Sequence, residues 1–170
     1  MSNVLIVIIG VILFIGLALA GALFLGPRFQ ESRNNSRASA VLQSLQQVSN
    51  AANLYKTNTG AILYEGDRDL LTSGGYLKSY PDNPIVGPIS DRRLQIKLSN
   101  GIDDAKEAID GAEAKYAIAR IYYEGDADKV AICKAISQQT GGSSTLGGVD
   151  GNRTAGCGYD GVTLYAWVRI

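Results

Sequence analysis

From Val4 to Leu25 the chain reads VLIVIIGVILFIGLALAGALFL, with no charged residue and no strong helix stop. A helix over these about 22 residues is roughly 33 Å long, which matches the hydrocarbon thickness of a bilayer. Summed over the Val, Ile, Leu and Phe positions, insertion is favoured by roughly 5 to 10 kcal/mol. The run is expected to span a membrane. Gly10, Gly16, Gly21 and Gly26 punctuate it, and Gly16 with Ala20, Ala18 with Ala22, and Ala22 with Gly26 are small pairs four residues apart. Such pairs let helix backbones approach closely. Two readings stand: a lone anchor with glycines ordinary for a membrane helix, and a helix that packs on copies of itself.

With that run set aside, the rest of the 170 residues suffices for one globular domain. Sixteen basic and sixteen acidic residues cancel, so no global field draws in nucleic acid. Histidine is absent, which removes the commonest acid/base group and metal ligand. The reading is of a protein that is not an enzyme, with no cofactor and no small-molecule substrate. Cys133 and Cys157 are the only cysteines, too far apart for a redox Cys-x-x-Cys or a zinc knuckle. A disulfide is the leading reading, worth on the order of 3 kcal/mol for a loop of about 25 residues in an oxidising space. Two buried thiols are the alternative.

Orientation raises a conflict. Arg28, Arg33 and Arg37 follow the apolar run and no Lys or Arg precedes it, so the positive-inside rule leaves the domain in the cytoplasm. The cysteine pair argues for the other side. Removal of a basic leader, with Met1 as the first residue of the mature form, resolves the two. A standard secretory signal fits poorly, because the apolar run is too long and lacks a basic flank.

Pro27 after Gly26 predicts a kink or a locally unwound stretch. Beyond it, Val41, Leu45, Val48, Ala52 and Tyr55 recur at four- and three-residue steps and line one face of an amphipathic helix. Asn58-Thr59-Gly60 supplies its stop. Residues 61–91 are broken by glycines and prolines and leave room for a short helix over Asp69–Ser73. Leu94–Leu98 and Tyr116–Tyr123 read as strands, Asp103–Ile109 as a short helix, and Asp126 or Asp128 as the cap of a helix running to Gln139. Thr140–Gly158, rich in glycine and serine, cannot hold itself by packing, and a bond from Cys157 to Cys133 would order it. Val162–Ile170 reads as a terminal strand. The divisions are an apolar transmembrane or filament-core helix over 1–27, an amphipathic helix over 28–58 and a globular head over 59–170. The fold class is α+β: a long N-terminal helix, apolar in its first half and kinked near Gly26-Pro27, packs its second half on an antiparallel sheet with a disulfide-bounded C-terminal region.

This order of parts resembles a type IV pilin of the type IVb kind. The matching features are the apolar helix running into an amphipathic one, the LYKTNTG helix end, Gly75-Tyr76-Leu77-Lys78-Ser79-Tyr80-Pro81 with Asp82-Asn83-Pro84, and the C-terminal cysteine pair. The resemblance implies leader removal by a prepilin peptidase, with cleavage and N-methylation at Met1. It implies a pool in a bacterial inner membrane and then an extracellular pilus at the cell surface, built by the pilus assembly machinery as a helical homopolymer. Leu5, Ile9, Ile12, Gly16, Ala20 and Leu23 would pack the filament core. Gly21, Gly26 and Pro27 would let the helix unwind and stretch. Val41, Leu45, Val48, Ala52 and Tyr55 would seat the sheet. Leu5 stands where pilins usually carry a glutamate, and Pro27 sits a few residues later than the family's usual helix proline.

Three functions follow. The first is a major pilus subunit serving adhesion, conjugation, DNA uptake or motility, with a host surface or DNA as outside partner. The second is a pseudopilin or minor pilin, and the third a single-span anchored binding domain that does not polymerise. Elsewhere, Asp103, Asp104 and Asp110 lack calcium-loop spacing and read as a solvated helix start, and Ser143-Ser144 lacks a histidine to activate it. The arginines at 28, 33 and 37 face lipid head groups, neighbouring acids or solvent. Tyr116, Tyr122, Tyr123, Tyr159 and Tyr165 read as sheet-face residues, some of them exposed to partners.

Overall fold

The 3.6-residue periodicity beyond Arg37 decides where the core lies. Ala38, Val41, Leu45, Val48 and Ala52 are fully buried along one side of helix α1, Ser2–Thr59, and Tyr55 is half-buried on the same side. Each Val or Leu so buried is worth about 1.5–3 kcal/mol relative to exposure. The computed structural model describes residues 2–64, 67–85, 96–99, 115–122, 126–142, 153–159 and 163–170. Contacts divide the chain into Met1–Asn34 and Asn35–Ile170. The buried stretch of α1 therefore belongs with the second unit, as its central helix.

α1 ends at the expected stop. Gly60 adopts a φ of +66° and its N–H donates to the Lys56 carbonyl at 2.9 Å, the left-handed closure that glycine makes without strain. Helical assignment runs unbroken through Gly26 and Pro27, so the unwound stretch expected there is absent from the isolated chain. Proline withdraws one N–H from the ladder, and the turns on either side remain bonded.

The other elements are helix α2 (Arg68–Ser73), strand β1 (Lys97–Ser99), strand β2 (Tyr116–Tyr122), helix α3 (Ala127–Gln139), strand β3 (Ala155–Tyr159) and strand β4 (Thr163–Arg169). Asp126 caps α3 as expected, its carboxylate accepting from the Asp128 N–H at 2.9 Å. The predicted strand over Leu94–Leu98 is found as β1, with Ile96 and Leu98 buried, while Leu94, Gln95 and the helix expected over Asp103–Ile109 lie outside the described residues. Among the described residues the strands form one antiparallel sheet of order β1-β2-β4-β3.

Alternation sorts the sheet into two faces. Leu98, Ala117, Ala119, Ile121, Leu164, Ala166, Val168 and Cys157 join the core shared with α1 and α3. Ala119, Ala166 and Cys157 lie side by side in register across three strands, so the sheet presents small side chains where bulky ones from α1 and α3 must fit. Ser49 Oγ of α1 donates to the Arg169 carbonyl at 2.9 Å, and Gln139 Nε2 of α3 donates to the Asn35 carbonyl of α1 at 3.3 Å. α1 is thus tied to the end of β4, and the end of α3 is tied to α1.

Tyr116, Ile118, Tyr165 and Trp167 form a second buried cluster on the opposite face. There Gly156 pairs with Trp167 and Gly158 with Tyr165. A Cβ at Gly156 would stand 2.7 Å from Trp167 Cζ2. Glycine is required because the indole lies against the neighbouring backbone. Gly156→Ala is expected to lower unfolding stability by about 1–3 kcal/mol through this overlap, read as a fall in the urea midpoint with unchanged slope; an unchanged midpoint would show that the indole moves aside freely.

Candidate functional site

Between Val4 and Leu23 the first unit exposes its large apolar side chains around the whole circumference, from 48% at Ile9 to 76% at Leu23. Soluble proteins rarely leave so much contiguous apolar surface to water. Leu5, Ile9, Ile12 and Leu23 are among these residues, and Gly16 and Ala20 are exposed between them. A Cβ placed on Gly10, Gly16, Gly21 or Gly26 would meet nothing within 4 Å. The chain itself does not fill the space beside its small residues. The helix is long and apolar enough to cross a membrane. Met1 lies outside the described residues.

The charged residues begin after this surface. Arg28 is exposed and stands 3.6 Å from Glu31, one turn on, an arrangement of small net energy in water. Arg33 is exposed and Arg37 half-buried.

In the second unit the cysteine pair is a disulfide, with a Cα–Cα distance of 5.4 Å, joining α3 to β3. One helical turn along α3 from Cys133, Ser137 Oγ donates to the Cys157 carbonyl at 3.1 Å. The glycine-rich segment expected to lack packing of its own therefore contains strand β3, held by the disulfide, by Ser137 and by five paired positions on β4. Its only sequence signal is the alternation Ala155, Cys157, Tyr159, with glycine at both intervening positions.

Asn83, part of the Asp82-Asn83-Pro84 segment, is buried; its Nδ2 donates to the Arg120 carbonyl at 2.7 Å and its Oδ1 accepts from the Ile85 N–H. This pins the chain after α2 to β2. Tyr76 packs edge-on against Tyr55 of α1, ring centroids 5.4 Å apart. A shallow cavity of about 290 Å³ lies beside it, lined by Gln47, Asn50, Ala51, Leu54, Tyr76, Leu77 and Lys78. Tyr116 and Tyr165 are buried and Tyr159 is half-buried, so none of these three is exposed as sequence reasoning allowed; Tyr123 lies outside the described residues, as do Asp103, Asp104, Asp110, Ser143 and Ser144. Among the described residues no group of carboxylates, cysteines and histidines is placed to hold a metal ion.

The Tyr80 hydroxyl is buried with no hydrogen-bond partner among the described residues. Burial pushes its pKa far above the ordinary phenol value, and the Arg68 guanidinium, 5.9 Å from the ring centroid, opposes this in part.

No family model matches the chain, and neither a curated protein nor a solved structure matches it.

Two outcomes test this geometry. Replacing both cysteines by serine is expected to cost about 3 kcal/mol, with hydrogen exchange rising in Ala155–Tyr159 before β2 or β4; equal acceleration in all three strands would show that the bond does not act on β3. An unfolded chain ionises Tyr80 near pH 10 while the folded state keeps the proton, so stability falls as pH rises above about 10. Tyr80→Phe is expected to flatten that alkaline fall and, near pH 7, to leave stability unchanged or raised by up to about 1 kcal/mol. A clear loss near pH 7, measured by urea unfolding, would mean that the hydroxyl has a partner.

Proposed function

We propose that this chain is the structural subunit of a type IV pilus-like filament, held in a bacterial inner membrane by Val4–Leu25 and assembled by packing that helix against copies of itself. The observation that carries the reading is the contrast along α1: bare apolar surface over Val4–Leu23 and a closed protein core over Ala38–Ala52. A surface of the first kind has two stable environments, the hydrocarbon of a bilayer or a bundle of like helices. Transfer from one to the other exchanges lipid contacts for protein contacts at little cost in hydrophobic energy.

Small residues favour the bundle, since the unfilled space beside Gly10, Gly16 and Gly21 lets a neighbouring backbone come close. A head-to-tail contact that does not close into a ring repeats into a helical fibre. On this reading the heads face water and carry whatever contact the filament makes with a host surface or DNA. The disulfide between α3 and β3 supports a head that works in an oxidising space outside the cytoplasm.

Electron microscopy of material sheared from cells separates the functions. Fibres composed mainly of this chain are expected, and Ala20→Glu is expected to abolish them while the heads still form the disulfide, because one buried carboxylate per subunit lacks a partner in the core. Fibres in which the chain is a trace component would make it a minor subunit. A detergent-extracted monomer, with no fibre, would overturn assembly and leave an anchored binding domain.

A further inference from the structure

The residues just past the apolar run are Arg28, Phe29, Gln30, Glu31, Ser32 and Arg33, all within the first unit. We infer that Arg28, Phe29 and Arg33 form an interfacial collar that binds the phosphate groups of anionic phospholipids on the head-domain side of the bilayer. The inference rests on the membrane-resident stage of the proposed function and adds to it a preference among lipids.

Depth supports this. If Leu25 marks the end of the hydrocarbon, a rise of about 1.5 Å per residue puts the Arg28 Cα about 4.5 Å beyond it and the Arg33 Cα about 12 Å beyond it. The head-group layer on each side is about 5–8 Å thick. Helical side chains lean toward the N-terminus, here toward the membrane, so the long Arg33 side chain reaches back into the layer that Arg28 already occupies.

Phe29 is an independent indication. It is 69% exposed, a large ring uncovered among polar neighbours and one residue from Arg28. An interface that is apolar on one side and charged on the other suits a ring in that position better than water does.

Charge decides which lipid. Arg33 has no ion-pair partner among the described residues, and the Arg28–Glu31 pair at 3.6 Å is solvent-exposed, with 83% and 64% of the side chains accessible. A lipid phosphate competes readily for Arg28, since it offers a fork of oxygens to the guanidinium. Glu31 limits the gain, leaving a net charge of about +1 on the collar. One such charge near an anionic surface corresponds to about five-fold in association.

The full chain is reconstituted into vesicles of phosphatidylcholine with trace spin-labelled phosphatidylglycerol or spin-labelled phosphatidylcholine, and the motionally restricted fraction of each probe is measured. The expected ratio of association constants is about five in favour of phosphatidylglycerol, falling to one or below for Arg28→Gln with Arg33→Gln, which leaves Glu31 as the sole charge of the collar, and rising for Glu31→Gln. Disulfide formation and the thermal midpoint of the heads check folding of each variant, whose substitutions lie outside the Asn35–Ile170 unit. A ratio near one for the parent chain, or one unmoved by the arginine substitutions, overturns the collar while leaving membrane residence intact. Failure of the parent chain to float with vesicles of phosphatidylcholine alone overturns membrane residence itself, and the collar with it.

Discussion

The burial of one face of α1 between Ala38 and Ala52 is the contact on which the rest of the second unit depends. The sheet's inner face is made largely of Ala117, Ala119, Ala166 and Cys157, with Ile121, Leu164 and Val168 around them. Such a surface has little bulk of its own and cannot close a core alone. Val41, Leu45 and Val48 supply that bulk from α1, and Ile132 and Ile136 supply it from α3. The same covalent helix that begins as bare apolar surface thus ends as the central element of the second unit's core. Truncating its second part would remove the core rather than shorten a stalk.

Legibility followed local physics. The long helix, its Gly60 stop, the Asp126 cap, α2, β2 and β4 each have a residue-level cause confined to a few neighbours, and each was readable from sequence. The strand β3 was not. Its sequence AGCGY has two glycines, which disfavour a strand, and its conformation comes from partners distant in the chain: the β4 register, the disulfide and the Ser137 hydroxyl. Gly156, one of the two glycines that hide it, is there because the Trp167 indole occupies the space beside it on the sheet's outer face, while Gly158 pairs with Tyr165. A rule that counts glycine as loop misreads a strand whose neighbours supply the side chains.

Asn83 was missed in the same way. Asp-Asn-Pro reads as turn chemistry, and only the fold shows that the amide reaches the Arg120 carbonyl and so fastens the segment after α2 to the sheet. At Pro27 the helix continues, so of the two outcomes expected there, a kink or an unwound stretch, the unwound stretch is not found. A proline costs a helix one hydrogen bond and some steric strain; in the middle of the 58-residue α1 the flanking turns carry the chain through. On the proposed function, any unwinding there belongs to packing against neighbours, which load the helix in ways a single chain does not.

The candidate site was legible as a surface and silent as to its occupant, for a physical reason. A site that grips a small molecule carries its specificity in convergent polar groups, whereas Val4–Leu25 offers only shape and the absence of charge. Lipid and a like helix satisfy it almost equally. Under the proposed function that near-degeneracy is what makes the state reversible: a segment that preferred hydrocarbon strongly would never leave the membrane, and one that preferred its own kind strongly would aggregate before assembly. The discrimination between the two states must then come from elsewhere, from contacts between head domains and from the charged residues that start at Arg28. Those are the places where a substitution can shift the balance without altering the apolar surface that both states share.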